Sequence, residues 1–346
     1  MSKLYINLFQ ELLKSTKIEF TDFKSYIIKK KLKSTIIFCD KKLKDLLPFL
    51  NECSNNVFYI SGGEKVKSLK NVNIILNIFH KYEINRGHEI ICVGGGSLLD
   101  LLGFCCSIWH RGLNLILVPT TLLAMTDASI GGKNAINFKN YKNLIGTIYF
   151  PTKILIDLKF LNTLKKKQIK DGLSEIIKHG LLKSKRLVTD LIDKKLNFNT
   201  IKDVLFKSIS IKCKIITKDP CERKERFLLN FGHTLGHSIE KTFRVSHGLS
   251  VFNGMFYETI FNVSFIGGIN QSVVEVLKEL KCKYNYKLFS KEEITKKVID
   301  KLKYDKKIIE KEINLPIVYD VGKSKIIKVN AKKYIQEMEK FFQFNN

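Results

Sequence analysis

Long apolar runs are missing from this sequence. No stretch provides the roughly 18 uninterrupted apolar residues that a membrane-spanning helix requires. The first 20 residues also lack an apolar run that ends in a small-residue cleavage site. We therefore expect a soluble protein of the cytoplasm that has no membrane partner.

Metal-type cysteine pairs and linker-like segments are absent as well. None of the eight cysteines forms a Cys-x-x-Cys pair, which argues against zinc-ribbon and dithiol redox sites. Buried, reduced thiols are the expected state of these cysteines. Only five prolines occur, and we find no Pro/Gly/Ser-rich linker and no internal repeat. With 45% hydrophobic residues, the chain is expected to fold throughout.

Arginine is scarce although the chain is strongly basic. Only six of the 60 Lys and Arg residues are arginines, and the formal net charge is +27. The lysines are scattered over expected solvent faces, without a helix-turn-helix, a zinc finger or an RNP-like aromatic pair. We therefore expect no nucleic-acid partner. The abundance of Lys, Ile, Asn and Phe instead indicates a drift toward A/T-rich codons. The positive field would still attract an anionic substrate.

The length and the hydrophobic patterns predict two domains. A chain of 346 residues exceeds the size at which a single core stops growing, about 250 to 300 residues. Apolar runs alternate with helical patterns in the first half, which predicts a Rossmann-like α/β domain over residues 1–160. A mostly α-helical domain is expected over residues 161–346, with a ligand in the cleft between the two. The predicted strands are 34–40, 56–60, 89–93, 114–119 and 153–158.

Two glycine-rich segments and one polar segment follow predicted strands. Three glycines, Gly94 to Gly96, precede a helical pattern, which suits a pyrophosphate at a helix N-terminus, although a turn without a ligand explains them about equally well. The segment 60–68 adds a second glycine pair beside Glu64 and two lysines. It would either contribute to the same ligand site or form a surface turn. The loop-like stretch 118–146 gathers small and charged residues at a strand end, where α/β proteins bind ligands.

Three of the seven histidines lie close together in the sequence. His233 and His237 are four residues apart and share one face of a helix, and His247 follows shortly after the helix is expected to end. Glu175 lies on another predicted helix, where apolar neighbours turn it toward the core and a buried carboxylate needs a partner. These side chains make a Zn²⁺ site plausible. Spacing does not tell which two histidines would bind the metal, and separate surface residues remain the alternative.

Taken together, the motifs resemble those of the 3-dehydroquinate synthases. That family shows, in order, GGGxxxD, RG, PTTLLAxxDxSxGGK, KNxIG, GxxExxKxG, RxxxNFGHTxGH, HG and DKK, and this chain matches all of them between Gly94 and Lys307. The resemblance implies NAD⁺ in the α/β half and a divalent metal, Zn²⁺ or alternatively Co²⁺. It implies conversion of 3-deoxy-D-arabino-heptulosonate 7-phosphate to 3-dehydroquinate and phosphate in the shikimate pathway.

The same resemblance implies a role for individual residues. Glu175, His233 and His247 would be the metal ligands, and His237 would face the substrate. Arg111 would reach the active site of the neighbouring subunit of a homodimer. The further substrate contacts would be Asp127, Lys133, Asn143, Lys178, Lys212, Arg226, Asn230 and one of Lys306 and Lys307. The NAD⁺ contacts would be Asp40, Gly62, Gly63, Glu64, Lys65, Val66, Lys67, Gly96, Ser97, Leu98, Leu99, Asp100, Thr120, Thr121, Lys133, Lys142, Phe160, Leu161, Asn162 and Thr163.

Four positions depart from the family pattern. Leu249 stands where a Glu usually follows His-Gly, and the loss of a carboxylate that supports the ligands would cost about 10- to 100-fold in metal affinity or activity. Leu99 replaces a Gly, Lys42 an Asn and Gln168 a Glu. None of the four removes an expected ligand or catalytic group.

Two other enzyme classes share parts of this apparatus. Related sugar-phosphate cyclases, such as the 2-deoxy-scyllo-inosose and valiolone-type synthases, differ in the residues that bind the sugar, and Lys212 with Arg226 favours a substrate that carries a carboxylate. Metal-dependent alcohol dehydrogenases of the glycerol dehydrogenase type would accumulate NADH.

Overall fold

A computed structural model describes residues 16–30, 32, 34–139, 141–299 and 312–344. The chain divides into two compact units, residues 1–169 (unit 1) and 170–346 (unit 2). The boundary predicted after residue 160 lies before this division, within a short 3₁₀ helix, Leu158–Thr163.

Unit 1 alternates strands with helices. Its strands are β1 Lys17–Phe20, β2 Thr35–Asp40, β3 Val57–Ile60, β4 Glu89–Gly94, β5 Asn114–Pro119, β6 Lys133–Phe138, β7 Tyr141–Ile148 and β8 Lys153–Ile156. Its α-helices are α1 Phe23–Lys29, α2 Phe49–Cys53, α3 Leu69–Lys81 and α4 Gly96–Ile108, and α5 Lys166–Lys183 continues into unit 2.

Six parallel strands form the core of unit 1, in the order β1-β8-β5-β4-β2-β3. The interior strands are near-continuous runs of Ile, Leu, Val and Cys, because a parallel sheet covered on both faces buries every side chain. The five predicted strands are all present and parallel, so the predicted α/β class is confirmed. The sixth strand, β1, was not predicted, because its four residues, Lys-Ile-Glu-Phe, are too few for their polar/apolar alternation to be distinctive.

The segment 118–146 is more regular than its composition predicted. The expectation of a mostly loop-like stretch was wrong, because a π-helical turn, Ala124–Ala128, precedes an antiparallel pair, β6 and β7. Gly146 allows the two strands to approach closely, since a Cβ there would lie 2.6 Å from the carbonyl oxygen of Asn134. Polar side chains hid the strand pattern because β7 is exposed along much of its length.

Unit 2 is mostly helical. After α5 come α6 Lys185–Asp193, α7 Phe198–Lys218, α8 His233–Phe243, α9 His247–Phe265, α10 Ser272–Tyr284, α11 Lys291–Ile294 and α12 Ala331–Phe344, with two antiparallel strands, β9 Glu312–Asp320 and β10 Lys323–Asn330. This agrees with the prediction of a mostly α-helical second domain. Among the described residues, no helix is long and apolar enough to cross a membrane.

Helices α8 and α9 pack backbone against backbone. A Cβ at Gly254 would lie 1.9 Å from the carbonyl oxygen of Gly232, and one at Gly236 would lie 3.1 Å from that of Ser250. Glycine at these positions is therefore a packing requirement. The close packing brings the first residue of α8 near the first residue of α9, and both of these residues are histidines.

Candidate functional site

The carboxyl ends of β2, β3, β4 and β5 carry the glycine-rich turns of unit 1. The turn after β4 leads directly into α4, whose N-cap residue Gly95 has no side chain to satisfy the free N–H groups of the first helical turn. A bare helix N-terminus at the carboxyl edge of a parallel sheet is the usual cradle for a pyrophosphate. Ser97, Leu98, Leu99 and Asp100 lie in the first turns of this helix.

Packing explains why glycines occupy this turn. A Cβ at Gly94 would lie 2.9 Å from Cδ2 of Leu98, and one at Gly96 would lie 2.9 Å from Cβ of Ala128. Gly95 has more room, since its nearest neighbour, the Thr121 methyl, is 3.5 Å away. Two of the three glycines thus bring α4 close to its neighbours, and the middle one keeps the backbone open.

Hydrogen bonds join the ends of β2, β3 and β4. The Asp40 carboxylate accepts from the backbone N–H of Gly62 at 3.3 Å and of Lys42 at 3.1 Å. The Glu64 carboxylate accepts from the Ser97 hydroxyl and from the Asn137 amide, both at 2.9 Å. Expected cofactor residues from three separate strand ends therefore form one connected edge.

A buried lysine links this edge to β7. The Lys67 ammonium lies 2.5 Å from Oδ2 of Asp100 and also contacts the side-chain oxygen of Asn143. Burial raises the pKa of Asp100 to about 6, although Lys67 acts in the opposite direction. The contact connects an expected cofactor residue with an expected substrate residue, and Asn143 itself has a left-handed backbone, with φ of 54°.

The other expected residues of unit 1 are more dispersed. Thr120 is buried and its N–H donates to the Gly94 carbonyl, while Thr121 accepts from the N–H of Ala124. Asp127 lies in the π-helical turn and Arg111 in a 3₁₀ turn, with φ of 64°. Lys133 and Lys142 are exposed residues of β6 and β7, Lys65 and Val66 lie in the 3₁₀ turn with Glu64, and Phe160, Leu161, Asn162 and Thr163 lie in the 3₁₀ helix after β8.

The three expected metal ligands of unit 2 converge. Ligand atoms of Glu175, His233 and His247 all lie within 4.8 Å of one another. Oε1 of Glu175 is 3.3 Å from Nε2 of His247 and 3.7 Å from Nε2 of His233. One carboxylate and two imidazoles that point to a common place make the His₂Glu set of catalytic zinc sites, which leaves a further coordination position open.

In His233 and His247, Nε2 faces Glu175, and Nδ1 on the other side of the ring faces a hydrogen-bond acceptor. Nδ1 of His233 is 3.1 Å from the carbonyl oxygen of Phe231, and Nδ1 of His247 is 3.3 Å from Oε2 of Glu240. Such outer partners hold the proton on Nδ1 and leave Nε2 free to bind a metal. Both rings are therefore oriented for ligation through Nε2.

Opposed charges set the protonation of this cluster. Burial would raise the pKa of Glu175, but the adjacent Lys178 ammonium and the two histidines hold it well below its ordinary value. Burial and then Lys178 lower the pKa of His233. Burial would lower the pKa of His247 too, yet hydrogen bonds to Glu175 and Glu240 raise it to about 10. Each nitrogen of the His247 ring thus faces a carboxylate oxygen, Nε2 toward Glu175 and Nδ1 toward Glu240, at 3.3 Å in both cases.

His237 lies beside this cluster. Its ring centroid is 5.2 Å from that of His233, with the ring planes nearly perpendicular. Of the two histidines four residues apart, His233 contributes a ligand atom to the cluster with Glu175 and His247, and His237 does not.

Among the described residues of unit 2, three of the expected substrate contacts are buried cations. Lys178 on α5, Lys212 on α7 and Arg226 after α7 are each at most 5% exposed. The loop that carries Arg226 is organised by Asp219, whose carboxylate accepts from the backbone N–H groups of Arg223, Lys224 and Arg226 at 2.6 to 3.0 Å. Asn230, at the end of the same segment, donates to the Glu222 carboxylate at 2.8 Å. Lys306 and Lys307 lie outside the described residues.

Sequence reasoning missed several residues of the site. Glu240 follows His233 by seven residues and His237 by three, so helical spacing alone places all three on one face and would have found it. Asp219 and Glu222 gave no such signal, because they act through a loop.

The four residues that depart from the family pattern fit their positions in the fold. Leu249 is half-buried in the first turn of α9, and Leu99 is buried in α4. Lys42 uses its backbone N–H toward Asp40, and the Gln168 side chain accepts from the N–H of Lys165 at the start of α5. The supporting carboxylate at His247 is present without residue 249, since Glu240 provides it.

Comparison with known proteins agrees with this arrangement. Residues 57–171 match the family model for the 3-dehydroquinate synthase N-terminal domain, and residues 172–308 match that for the C-terminal domain. The 3-dehydroquinate synthase of Saccharolobus solfataricus is 43% identical over 65% of this chain and 66% of its own length. That of Picrophilus torridus is 36% identical over 81% of this chain and 83% of its own length.

A solved structure extends the likeness to the fold. The 2-epi-5-epi-valiolone synthase of Streptomyces hygroscopicus subsp. jinggangensis 5008, with NAD⁺ and Zn²⁺ bound, superposes with a TM-score of 0.79 at 20% identity, over 95% of this chain and 96% of the other. Its low identity supports the fold alone, whereas the two family models together match residues 57–308 of the sequence. The chain belongs to the 3-dehydroquinate synthase family.

Proposed function

We propose that this protein converts 3-deoxy-D-arabino-heptulosonate 7-phosphate to 3-dehydroquinate and phosphate, with NAD⁺ and a divalent metal as cofactors. The match of residues 57–308 to the two family models carries the proposal. The convergence of Glu175, His233 and His247 supports it independently, because an α-helical unit has no structural need for that set of ligand atoms.

Glu175, His233 and His247 would hold the metal. The set suits Zn²⁺ first and Co²⁺ second, since both accept imidazole and carboxylate ligands. When bound, such an ion supplies a Lewis acid that polarises the substrate hydroxyl to be oxidised. Lys178 keeps the Glu175 carboxylate ionised, and the outer acceptors of the two imidazoles keep Nε2 available.

The glycine turn and strand ends of unit 1 would hold NAD⁺. The α4 N-terminus offers free backbone N–H groups to a pyrophosphate, and Asp40 and Glu64 present carboxylates at neighbouring strand ends, where a ribose hydroxyl would donate. When bound there, NAD⁺ would supply a hydride acceptor that is regenerated within one turnover, so the reaction would need no net oxidant.

Buried cations of unit 2 suit a substrate that carries both a phosphate and a carboxylate. Arg226 is the one arginine among the expected substrate contacts of unit 2, and its planar guanidinium matches a carboxylate in two hydrogen bonds. Asp219 fixes the backbone of that arginine before the substrate arrives. His237, beside the ligand cluster, is placed to exchange a proton with the substrate, which is worth about 10²- to 10⁴-fold in rate.

The remaining expected contacts are proposed on the family match alone. They are Asp127, Lys133 and Asn143 for the substrate, and Arg111 for the site of a second subunit in a homodimer. The left-handed backbone of Arg111 and of the preceding His110 is consistent with a side chain held in an unusual direction.

A single incubation tests the reaction. Metal-loaded protein, NAD⁺ and the heptulosonate phosphate are combined, and phosphate, dehydroquinate and NADH absorbance are followed together. We expect equal amounts of phosphate and dehydroquinate and no lasting NADH. Accumulating NADH would instead identify an alcohol dehydrogenase. In a second incubation, with a hexose 6-phosphate that lacks a carboxylate as the substrate, turnover would identify another cyclase.

Two lysines of α7 provide a matched pair of variants. Lys212→Met removes a buried cation, whereas Lys214→Met removes an exposed one from the same helix. We expect K212M to raise KM for the heptulosonate phosphate and K214M to leave it unchanged. Equal KM values for the two variants would remove Lys212 from the substrate site.

A further inference from the structure

Glu258 is a fully buried carboxylate on α9, at 0% exposure. Its Oε1 accepts from the backbone N–H of Leu235 at 2.7 Å, and its Oε2 accepts from that of Gly232 at 3.2 Å. Both donors belong to the start of α8, the helix that begins with His233. A carboxylate from one helix therefore binds the N-terminus of another.

Helix α8 has no N-cap side chain of its own. Its N-cap residue is Gly232, in the left-handed conformation with φ of 75°, and no side chain of that residue can accept from the first turn. The free N–H groups at a buried helix start need acceptors, and a negative charge there also interacts favourably with the helix dipole. Glu258 meets both needs from three turns along α9.

The same helix supplies a metal ligand. His247 is the first residue of α9, and Glu258 lies further along it. Gly254, one turn before Glu258, brings the α9 backbone against the carbonyl group of Gly232. Contacts from α9 to the start of α8 thus help to fix the position of His233 relative to His247. They act in addition to the direct contacts that both histidines make with Glu175.

From this geometry we infer that Glu258 is a positioning residue for the metal ligand His233. The inference rests on the metal set of the proposed function. With the Glu258 cap in place, the first turn of α8 is formed and Nε2 of His233 points at Glu175 before a metal arrives. Without the cap, the first turn frays, and only the fraction of molecules with a formed turn binds metal at full affinity.

The substitution Glu258→Gln tests this. Glutamine has the same size, but its amide offers one acceptor oxygen, so one of the two backbone N–H groups of α8 would face an NH₂ donor. Thr259→Val is the matched control, because Thr259 is also buried on α9 and its hydroxyl donates within that helix, to the carbonyl of Met255 at 2.6 Å. Glu258→Asp keeps the charge on a shorter side chain and replaces E258Q if that variant does not fold.

The measurement is Co²⁺ binding to the apo protein, followed by the visible absorption of the ion and by calorimetry. We expect E258Q to bind Co²⁺ about 10- to 100-fold more weakly, the range for residues that orient metal ligands. T259V should keep the affinity of the unaltered protein even if it melts at a lower temperature. At saturating Co²⁺, E258Q should recover kcat, because the bound state selects the formed turn.

Two results would overturn the inference. Equal Co²⁺ affinity of E258Q and the unaltered protein would mean that α8 needs no cap to present His233. Equal weakening by E258Q and T259V would mean that affinity follows general stability. Failure of the unaltered protein to bind Co²⁺ is a separate outcome, which would refute the proposed metal set and this inference with it.

Discussion

Alanine at Gly254 tests the contact between α8 and α9 directly. In a helix interior, Gly→Ala ordinarily stabilises by about 1 kcal/mol. Here the new Cβ would lie 1.9 Å from the carbonyl oxygen of Gly232, so that oxygen or the whole of α9 must retreat by roughly 1.5 Å to reach ordinary contact. The obstacle is backbone and accepts the N–H of Gly236, so no rotamer change relieves the clash.

The expected net effect of Gly254→Ala is destabilisation. Overpacking of this kind costs about 3 kcal/mol at the upper end of its usual range, which leaves a loss of about 2 kcal/mol after the gain in helix propensity. For a domain of the size of unit 2, that loss lowers Tm by about 4 to 8 °C. Circular dichroism or calorimetric melts of the apo protein measure it.

A helical glycine of the same unit serves as the control. At Gly180 on α5 the nearest neighbour of an added Cβ is a terminal methyl group of Val188, 3.0 Å away, which can move by a few tenths of an ångström. G180A should therefore change Tm little or raise it. If G254A melts at the same temperature as the unaltered protein or above it, the close packing described for α8 and α9 is not a constraint, and the reasoning about His233 loses its support.

Three further outcomes follow from other contacts. Glu240→Gln should weaken metal binding about 10- to 100-fold, because the Nδ1 proton of His247 loses its carboxylate partner. Leu249→Glu should leave the metal affinity unchanged, and Co²⁺ titration of both variants measures the two effects. Lys67→Met should cost about 3 kcal/mol in the folding free energy of unit 1 and weaken NAD⁺ binding, since it leaves Asp100 without its buried partner, and melts with NAD⁺ titration measure both effects. Burial would raise the pKa of Asp219, but the backbone N–H groups of Arg223, Lys224 and Arg226 outweigh it and lower that pKa below 3.8. The stabilisation by this carboxylate is therefore complete above pH 3.8 and is lost as the pH falls below that value toward the folded-state pKa. Asp219→Asn should consequently show a shallower loss of stability to urea between pH 5 and 3.

The sheet of unit 1 was predictable because its strands are buried on both faces. Runs such as those at 89–93 and 114–119 contain few polar residues, and burial in a parallel sheet explains that composition. The pair β6 and β7 escaped prediction for the opposite reason. Much of β7 is exposed, so its sequence carries polar and glycine residues that are also typical of loops.

The metal ligands were predictable in part. Spacing on one helix predicted that His233 and His237 share a face, but the choice of His233 with His247 came from family resemblance, since it depends on how two helices meet. Glu240 lay within reach of the same spacing rule. Glu258 did not, because its partners are backbone N–H groups of another helix, and backbone donors leave no mark in the sequence.

The strand order of unit 1 has a consequence for synthesis of the chain. Among the described strands, β1 lies at one edge of the sheet and pairs only with β8, the last strand of that sheet in the sequence. As the polypeptide leaves the ribosome, β2, β3, β4 and β5 can associate in turn, while β1 waits for residues 153–156 before it has a partner. Among the described strand pairs of this sheet, the pairing of β1 with β8 is the most non-local, so a slow stretch of translation or a chaperone would affect its formation most.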